Sequence, residues 1–271
     1  MNLINILKRK NNSPPLPSTL NVLILGQSNA GDRNTTNTLT SPYVGIARNY
    51  PNVNYISYSN TLTQYSGTTT LGTYDKHLGS ASFGVELGFL SVFQNKYFNV
   101  IKYYYGSKAL KQQTGDTDFS PNSVNELYDV GIFKGDNTGF CEQICSANNL
   151  IPDIVIWIQS EQDAVINSQT YLTDLQSLTS QLRSDFNNPN LTFIYNKLHE
   201  DFYFYDSAEH AEPGKAYVRS AQDSFNNNDT NKLIIFDDLS IGDVFNVHFD
   251  ANCSAELGIR MGNFAKIKYG D

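Results

Sequence analysis

The chain has 271 residues, 40% of them hydrophobic and only 17% charged, which suits one large α/β domain or two small ones with a sizeable core. Nineteen basic against 27 acidic residues leave a net charge of −8. That balance excludes the basic stripe with which a nucleic-acid binder displaces phosphate counterions, and it disfavours an anionic membrane surface as partner.

Uncharged polar groups carry the solubility, 31 Asn among them. The longest apolar runs are strand-sized, too short to span a bilayer. The start, Met1 to Asn12, puts its basic cluster after a short apolar run, the reverse of a secretory signal. The expected location is therefore cytoplasmic or virion-associated. Asn11-Asn12-Ser13-Pro14-Pro15-Leu16-Pro17-Ser18 is linker chemistry, because proline fixes φ and removes donors. Residues 1–20 thus read as an arm, a candidate contact for a protein partner, and residues 21–271 as one domain.

Within the domain, five continuous apolar runs read as buried parallel strands: Val22–Leu25, Val100–Tyr104, Ile154–Ile158, Leu191–Tyr195 and Leu233–Phe236. Helix-like stretches alternate with them. They are Phe83–Phe98, a segment with Tyr171, Leu175, Leu178 and Leu182 on one face, Pro213–Phe225, and Ala255–Ile267. The alternation predicts a three-layer α/β/α fold around a central parallel sheet of about five strands. Cys141, Cys145 and Cys253 match no zinc spacing and read as buried apolar filler. No cluster suggests a metal, and no cofactor is expected.

In such sheets ligands sit beyond the carboxyl ends of the strands. Those ends carry Gly26-Gln27-Ser28-Asn29, Gly106-Ser107, Gln159-Ser160-Glu161-Gln162-Asp163 and Asn196-Lys197-Leu198-His199, and past the last run come Asp243 and Val247-His248-Phe249-Asp250. Ser28 at a tight turn is either a helix cap or a nucleophile among free backbone N–H groups. Glu86 at a helix start favours the helix dipole. Trp157 reads as core and Arg260 as a structural ion-pair partner. His77 and His199 read as ordinary loop histidines or substrate contacts, His210 carries no signal, and Phe202-Tyr203-Phe204-Tyr205 reads as loop packing, a protein contact or a stacking surface for sugars.

Four motifs occur in order: Gly26-Gln27-Ser28-Asn29, Phe83-Gly84-Val85-Glu86-Leu87-Gly88, Trp157-Ile158-Gln159-Ser160-Glu161-Gln162-Asp163, and His248-Phe249-Asp250-Ala251 followed by Glu256-Leu257-Gly258-Ile259-Arg260. Together they resemble the SGNH (GDSL-like) hydrolases, with their flavodoxin-like fold, and most closely the sialate O-acetylesterase and acetylxylan-esterase-like branch, carbohydrate esterase family six. The resemblance runs from Asn21 to about Phe264. It implies Ser28 as nucleophile, His248 as general base, and an oxyanion hole from the Ser28 N–H, the Gly106 N–H and the Gln159 side chain. The family's acid three residues before the histidine falls on Phe245 here. Asp243 and Glu161 are the candidates to orient His248, whereas Asp250 would point away in an extended segment. Glu86 matches a supporting position.

The resemblance thus implies a metal-free serine esterase removing O-acetyl groups from a glycan. A second reading is a structural or glycan-binding subunit of the same fold with an impaired site, such as a phage virion component.

Overall fold

The computed structural model describes residues 19–59, 67–75, 81–111, 118–121, 127–202, 208–241 and 247–271, with residues 208–212 described by their backbone alone. Residues 1–18, and with them nearly the whole arm, lie outside this set, as do Asp243, His77 and Tyr203 to Tyr205.

All five predicted strands form. They are β1 (Leu20–Gly26), β6 (Phe98–Tyr104), β7 (Ile154–Ile158), β8 (Thr192–Asn196) and β9 (Asn231–Ile234). Two more extend the sheet, β3 (Asn49–Ser59) and β4 (Gly72–Asp75), giving seven strands in the order β4-β3-β6-β1-β7-β8-β9. Within this sheet, among the described residues, only the β3–β4 pair is antiparallel. The sheet is therefore wider than expected. Strand β3, NYPNVNYISYS, is half-buried and broken by Asn and Pro, so it lacks the continuous apolar run that marked the other five. A separate two-stranded ribbon joins β2 (Asn34–Thr35) to β5 (Ser82–Phe83).

Alternation along the central strands builds two cores. Val22, Ile24, Val100, Ile154 and Ile156 pack on the side of helices α1 (Val85–Ser91) and α7 (Ala251–Tyr269). Leu23, Leu25, Ile101, Val155, Trp157 and Phe193 pack on the other, against α3 (Phe140–Ala147), α5 (Tyr171–Asp185) and α6 (Ala208–Ser224). Tyr171, Leu175, Leu178 and Leu182 are all buried, as their spacing predicted. The expected helix Phe83–Phe98 is shorter, because Phe83 pairs in β5 and Phe98 opens β6. Pro213 lies inside α6 rather than at its start. Two short helices complete the chain order, α2 (Leu127–Gly131) and α4 (Glu161–Val165).

Helices α1 and α7 touch backbone to backbone. A Cβ on Gly88 would lie 1.9 Å from the Ala255 carbonyl oxygen, and one on Gly258 2.0 Å from that of Val85. Only glycine permits this approach. Because α7 begins three residues after His248 and α1 carries Glu86, the crossing fixes two motif-bearing segments relative to each other.

Candidate active site

Strand β1 ends at Gly26, where φ is +140° and a Cβ would stand 2.0 Å from the Ile158 carbonyl oxygen. The chain turns there. Gln27 N–H bonds Ile158 O at 2.9 Å, and a single 3-10 turn, Ser28–Ala30, closes through Ala30 N–H to Gln27 O and Gly31 N–H to Ser28 O. The Ser28 side chain does not cap this turn. Its Oγ lies 3.1 Å from His248 Nε2, the geometry of a nucleophile beside its base. Ser28 is 7% exposed and His248 half-buried.

Asn29 holds the histidine in place. Its Nδ2 donates to Val247 O at 2.9 Å and its Oδ1 accepts from Phe249 N–H at 3.2 Å, gripping the backbone on both sides of His248. The same Nδ2 donates to Glu161 Oε1 at 2.6 Å. Glu161 Oε2 in turn accepts from Ser160 N–H at 3.1 Å. Burial pushes the Glu161 carboxyl upward, against the pull of these donors. Glu161 therefore reaches the histidine segment through Asn29. Asp250 caps α7 by accepting from Cys253 N–H at 2.7 Å. The remaining candidate acid, Asp243, lies outside the described residues.

The two expected oxyanion donors other than Ser28 N–H differ in setting. Gly106 stands in the turn after β6, just past Tyr105, whose N–H bonds Gly26 O at 3.0 Å. Gln159 is fully buried, and its Nε2 donates both to Lys108 O at 3.2 Å and to the Asp163 carboxylate. With both hydrogens so engaged, the Gln159 amide braces the Gly106 loop and is not turned toward Ser28 as a donor. Asp163, also fully buried, accepts from Leu110 N–H at 2.8 Å. Burial pushes its carboxyl up to about 7, since its neighbours Asp174 and Asp118 offer no compensating positive charge. Among the described residues its Oδ1 has no hydrogen-bond partner.

Behind Ser28 lies a charged network that periodicity does not reveal. Lys102 is fully buried in β6, with Nζ 2.7 Å from Asp32 Oδ1 and 2.5 Å from Glu86 Oε2. Desolvation works against its charge, but Asp32 and Glu86 outweigh it and hold the ammonium well above the usual lysine range. Tyr74 OH and Gly84 N–H donate to Glu86, and Tyr55 OH donates to Asp32. The Lys102 ammonium thereby ties the loop that follows Ser28 to the start of α1. A lysine inside the apolar run Val100–Tyr104 was the available signal.

Residues 135–266 match the family described as carbohydrate esterase, sialic acid-specific acetylesterase. The resemblance to the sialate O-acetylesterase branch is borne out. Within the matched span lie the Gln159–Asp163 segment, His248 and the α7 motif; Ser28, Glu86 and Gly106 precede it. No curated protein sequence matches the chain. An Arabidopsis thaliana protein of known structure superposes with a TM-score of 0.63 at 15% identity, covering 93% of this chain and 98% of that one. A carbohydrate acetylesterase of Xanthomonas citri gives the same score, identity and coverage of this chain, which spans 56% of that longer protein. NanS aligns at a TM-score of 0.53 and 11% identity over 93% of this chain and 96% of its own. These likenesses bear out the α/β fold with its central, mostly parallel sheet.

The other singled-out residues have structural settings. His199 is buried, with Nδ1 accepting from Asp201 N–H at 3.0 Å and Nε2 lying 2.9 Å from Leu239 O. Arg260 pairs with Asp238 at 2.7 Å and Glu256 at 3.1 Å. Trp157 is in the core and Phe202 is buried. The three cysteines are free and buried, and burial alone pushes the Cys145 thiol up to about 12. Among the described residues no group of three or more His, Cys, Asp or Glu is placed to hold a metal, and no helix is long and apolar enough to cross a membrane. The side chain of His210 is outside the described set.

Proposed function

We propose that the chain is a serine esterase that removes O-acetyl groups from a carbohydrate through an acetyl-Ser28 intermediate. The observation that carries this reading is the 3.1 Å Ser28–His248 contact, held by Asn29 at the carboxyl ends of the strands. The family match over residues 135–266 supports the substrate class.

In this mechanism His248 Nε2 takes the Ser28 proton as Oγ attacks the acetyl carbonyl. The tetrahedral oxyanion faces the Ser28 and Gly106 N–H groups. Collapse breaks the ester C–O bond, and His248 returns the proton to the departing sugar oxygen. Water, deprotonated by the same imidazole, then attacks acetyl-Ser28 and releases acetate. Asp243 is the proposed orienter of His248, five residues ahead of it, with Glu161 acting on the same segment through Asn29. Nothing in these steps calls for a metal or cofactor.

The test is hydrolysis of 4-nitrophenyl acetate, followed by O-acetylated sugars beginning with O-acetylated sialic acid. Wild type should turn over, and Ser28→Ala should fall to the uncatalysed rate. His248→Ala should lose roughly three orders of magnitude or more. Equal rates for wild type and Ser28→Ala would overturn the reading and favour a glycan-binding subunit of the same fold.

A further inference from the structure

Asp163 sits below the site and takes no part in the steps above, yet it is wired to the loop that carries Gly106. Among the described residues that loop is anchored at several points, one of them Ala109 O, which accepts from Phe119 N–H at 3.3 Å. Tyr105 N–H bonds Gly26 O at the end of β1. Lys108 O accepts from Gln159 Nε2, and Leu110 N–H donates to Asp163 Oδ2. The Lys108 and Leu110 anchors converge on Asp163, because Gln159 itself is held by the Asp163 carboxylate. Between the anchors the backbone is constrained further, since Ser107 adopts φ of +56°, uncommon for a residue with a side chain. Gln159, Ser160 and Asp163 are all fully buried, so neither solvent nor exposed groups substitute for these bonds.

We infer that Asp163 is a positioning residue for the oxyanion hole, setting the place of the Gly106 N–H through Leu110 and through the Gln159 bridge to Lys108. The inference rests on the esterase reading above and deepens it. Oxyanion stabilisation depends steeply on distance, and a displacement of about 1 Å costs on the order of a hundredfold in rate. Loosening the loop should therefore act on kcat, where the charge develops, and leave KM nearly untouched.

Both bonds converge on one oxygen, Oδ2, which makes the conservative variant informative. Asparagine can place its single oxygen there and keep both acceptor contacts, whereas alanine keeps neither. Kinetics of 4-nitrophenyl acetate hydrolysis would be measured for wild type, Asp163→Ala, Asp163→Asn and Ser28→Ala, with the folded fraction of each checked by near-ultraviolet circular dichroism. Asp163→Ala should lose about tenfold to a hundredfold in kcat with KM within about twofold, and Asp163→Asn should recover most of that loss. If Asp163→Ala does not fold, Gln159→Met removes the Lys108 arm of the bridge alone and should lower kcat in the same manner. A folded Asp163→Ala with wild-type kcat, or a folded Asp163→Asn as slow as the alanine variant, overturns the assignment. Wild type no faster than Ser28→Ala overturns the esterase reading and this inference with it, so the two failures are distinguishable.

Discussion

Asn29 and Glu161, 132 positions apart in the chain, share a buried 2.6 Å hydrogen bond directly behind the Ser28–His248 pair. The bond joins the Ser28 turn after β1 to the first residue of α4, and Asn29 extends the connection to the backbone on either side of His248. One amide side chain thus registers three segments, and the serine and histidine meet because of it.

Replacing Asn29 should therefore slow the reaction without touching a reacting atom. Asn29→Ala is expected to reduce kcat by about a hundredfold, as the histidine segment loses its hold and Glu161 loses a donor. Glu161→Gln keeps one carbonyl oxygen as an acceptor and should be milder, about tenfold. Steady-state kinetics on 4-nitrophenyl acetate would show the ranking, and an Asn29→Ala variant with unchanged kcat would refute it.

Stability should fall as pH rises through neutrality. In the folded chain Asp163 is pushed up from 3.8 to about 7, so the folded state keeps a proton that the unfolded state has released. That contribution is complete below the unfolded value and is lost as pH rises through the folded one. Glu161, also pushed up by burial, acts in the same direction. Urea unfolding at pH 5 and pH 8 should show wild type losing more stability than Asp163→Asn, which has nothing to ionise, by on the order of a few kcal/mol. Equal losses would mean that Asp163 ionises as readily folded as unfolded.

The Lys102 network predicts a strong asymmetry between single and paired substitutions. Lys102→Met leaves Asp32 and Glu86 in a shared site without a cation and should cost roughly 3–5 kcal/mol. Lys102→Met combined with Glu86→Gln should cost less than the lysine change alone. A double-mutant cycle by urea denaturation measures this, and strict additivity would argue that the buried charges are not coupled.

At the turn, Gly26→Ala should abolish turnover as completely as Ser28→Ala. The added methyl cannot coexist with a carbonyl oxygen 2.0 Å away, so the β1 end must shift and carry Ser28 away from His248. Strain of this kind costs roughly 1–3 kcal/mol or more, so thermal unfolding should register it as well. Turnover surviving in Gly26→Ala would show that the turn tolerates another backbone path.

The parts of this protein legible in its sequence were those with local signatures. Val22–Leu25 and Ile154–Ile158 announce buried strands because every residue is apolar, and Ser28 and His248 stand out through the motifs around them. Strand β3 escaped because an edge-side strand that is half-exposed tolerates Asn52, Asn54 and Pro51. Gln159 was expected to face the oxyanion, yet its amide turns toward Asp163 and Lys108, a choice set by partners distant in sequence that no motif records. Lys102 was hidden in plain view, since a lysine in a strand signals a buried ion pair only once Asp32 and Glu86 are known to converge on it.

The contact between Gly88 and Gly258 bears on how a mutational survey of this protein should be interpreted. In a saturation library screened for hydrolysis, neither position would accept any side chain, and both would score as sharply as Ser28. Screened instead for soluble expression, Ser28 variants would survive and those two glycines would still fail. Only the paired screens would separate the proposed nucleophile from the residues that let two helices meet.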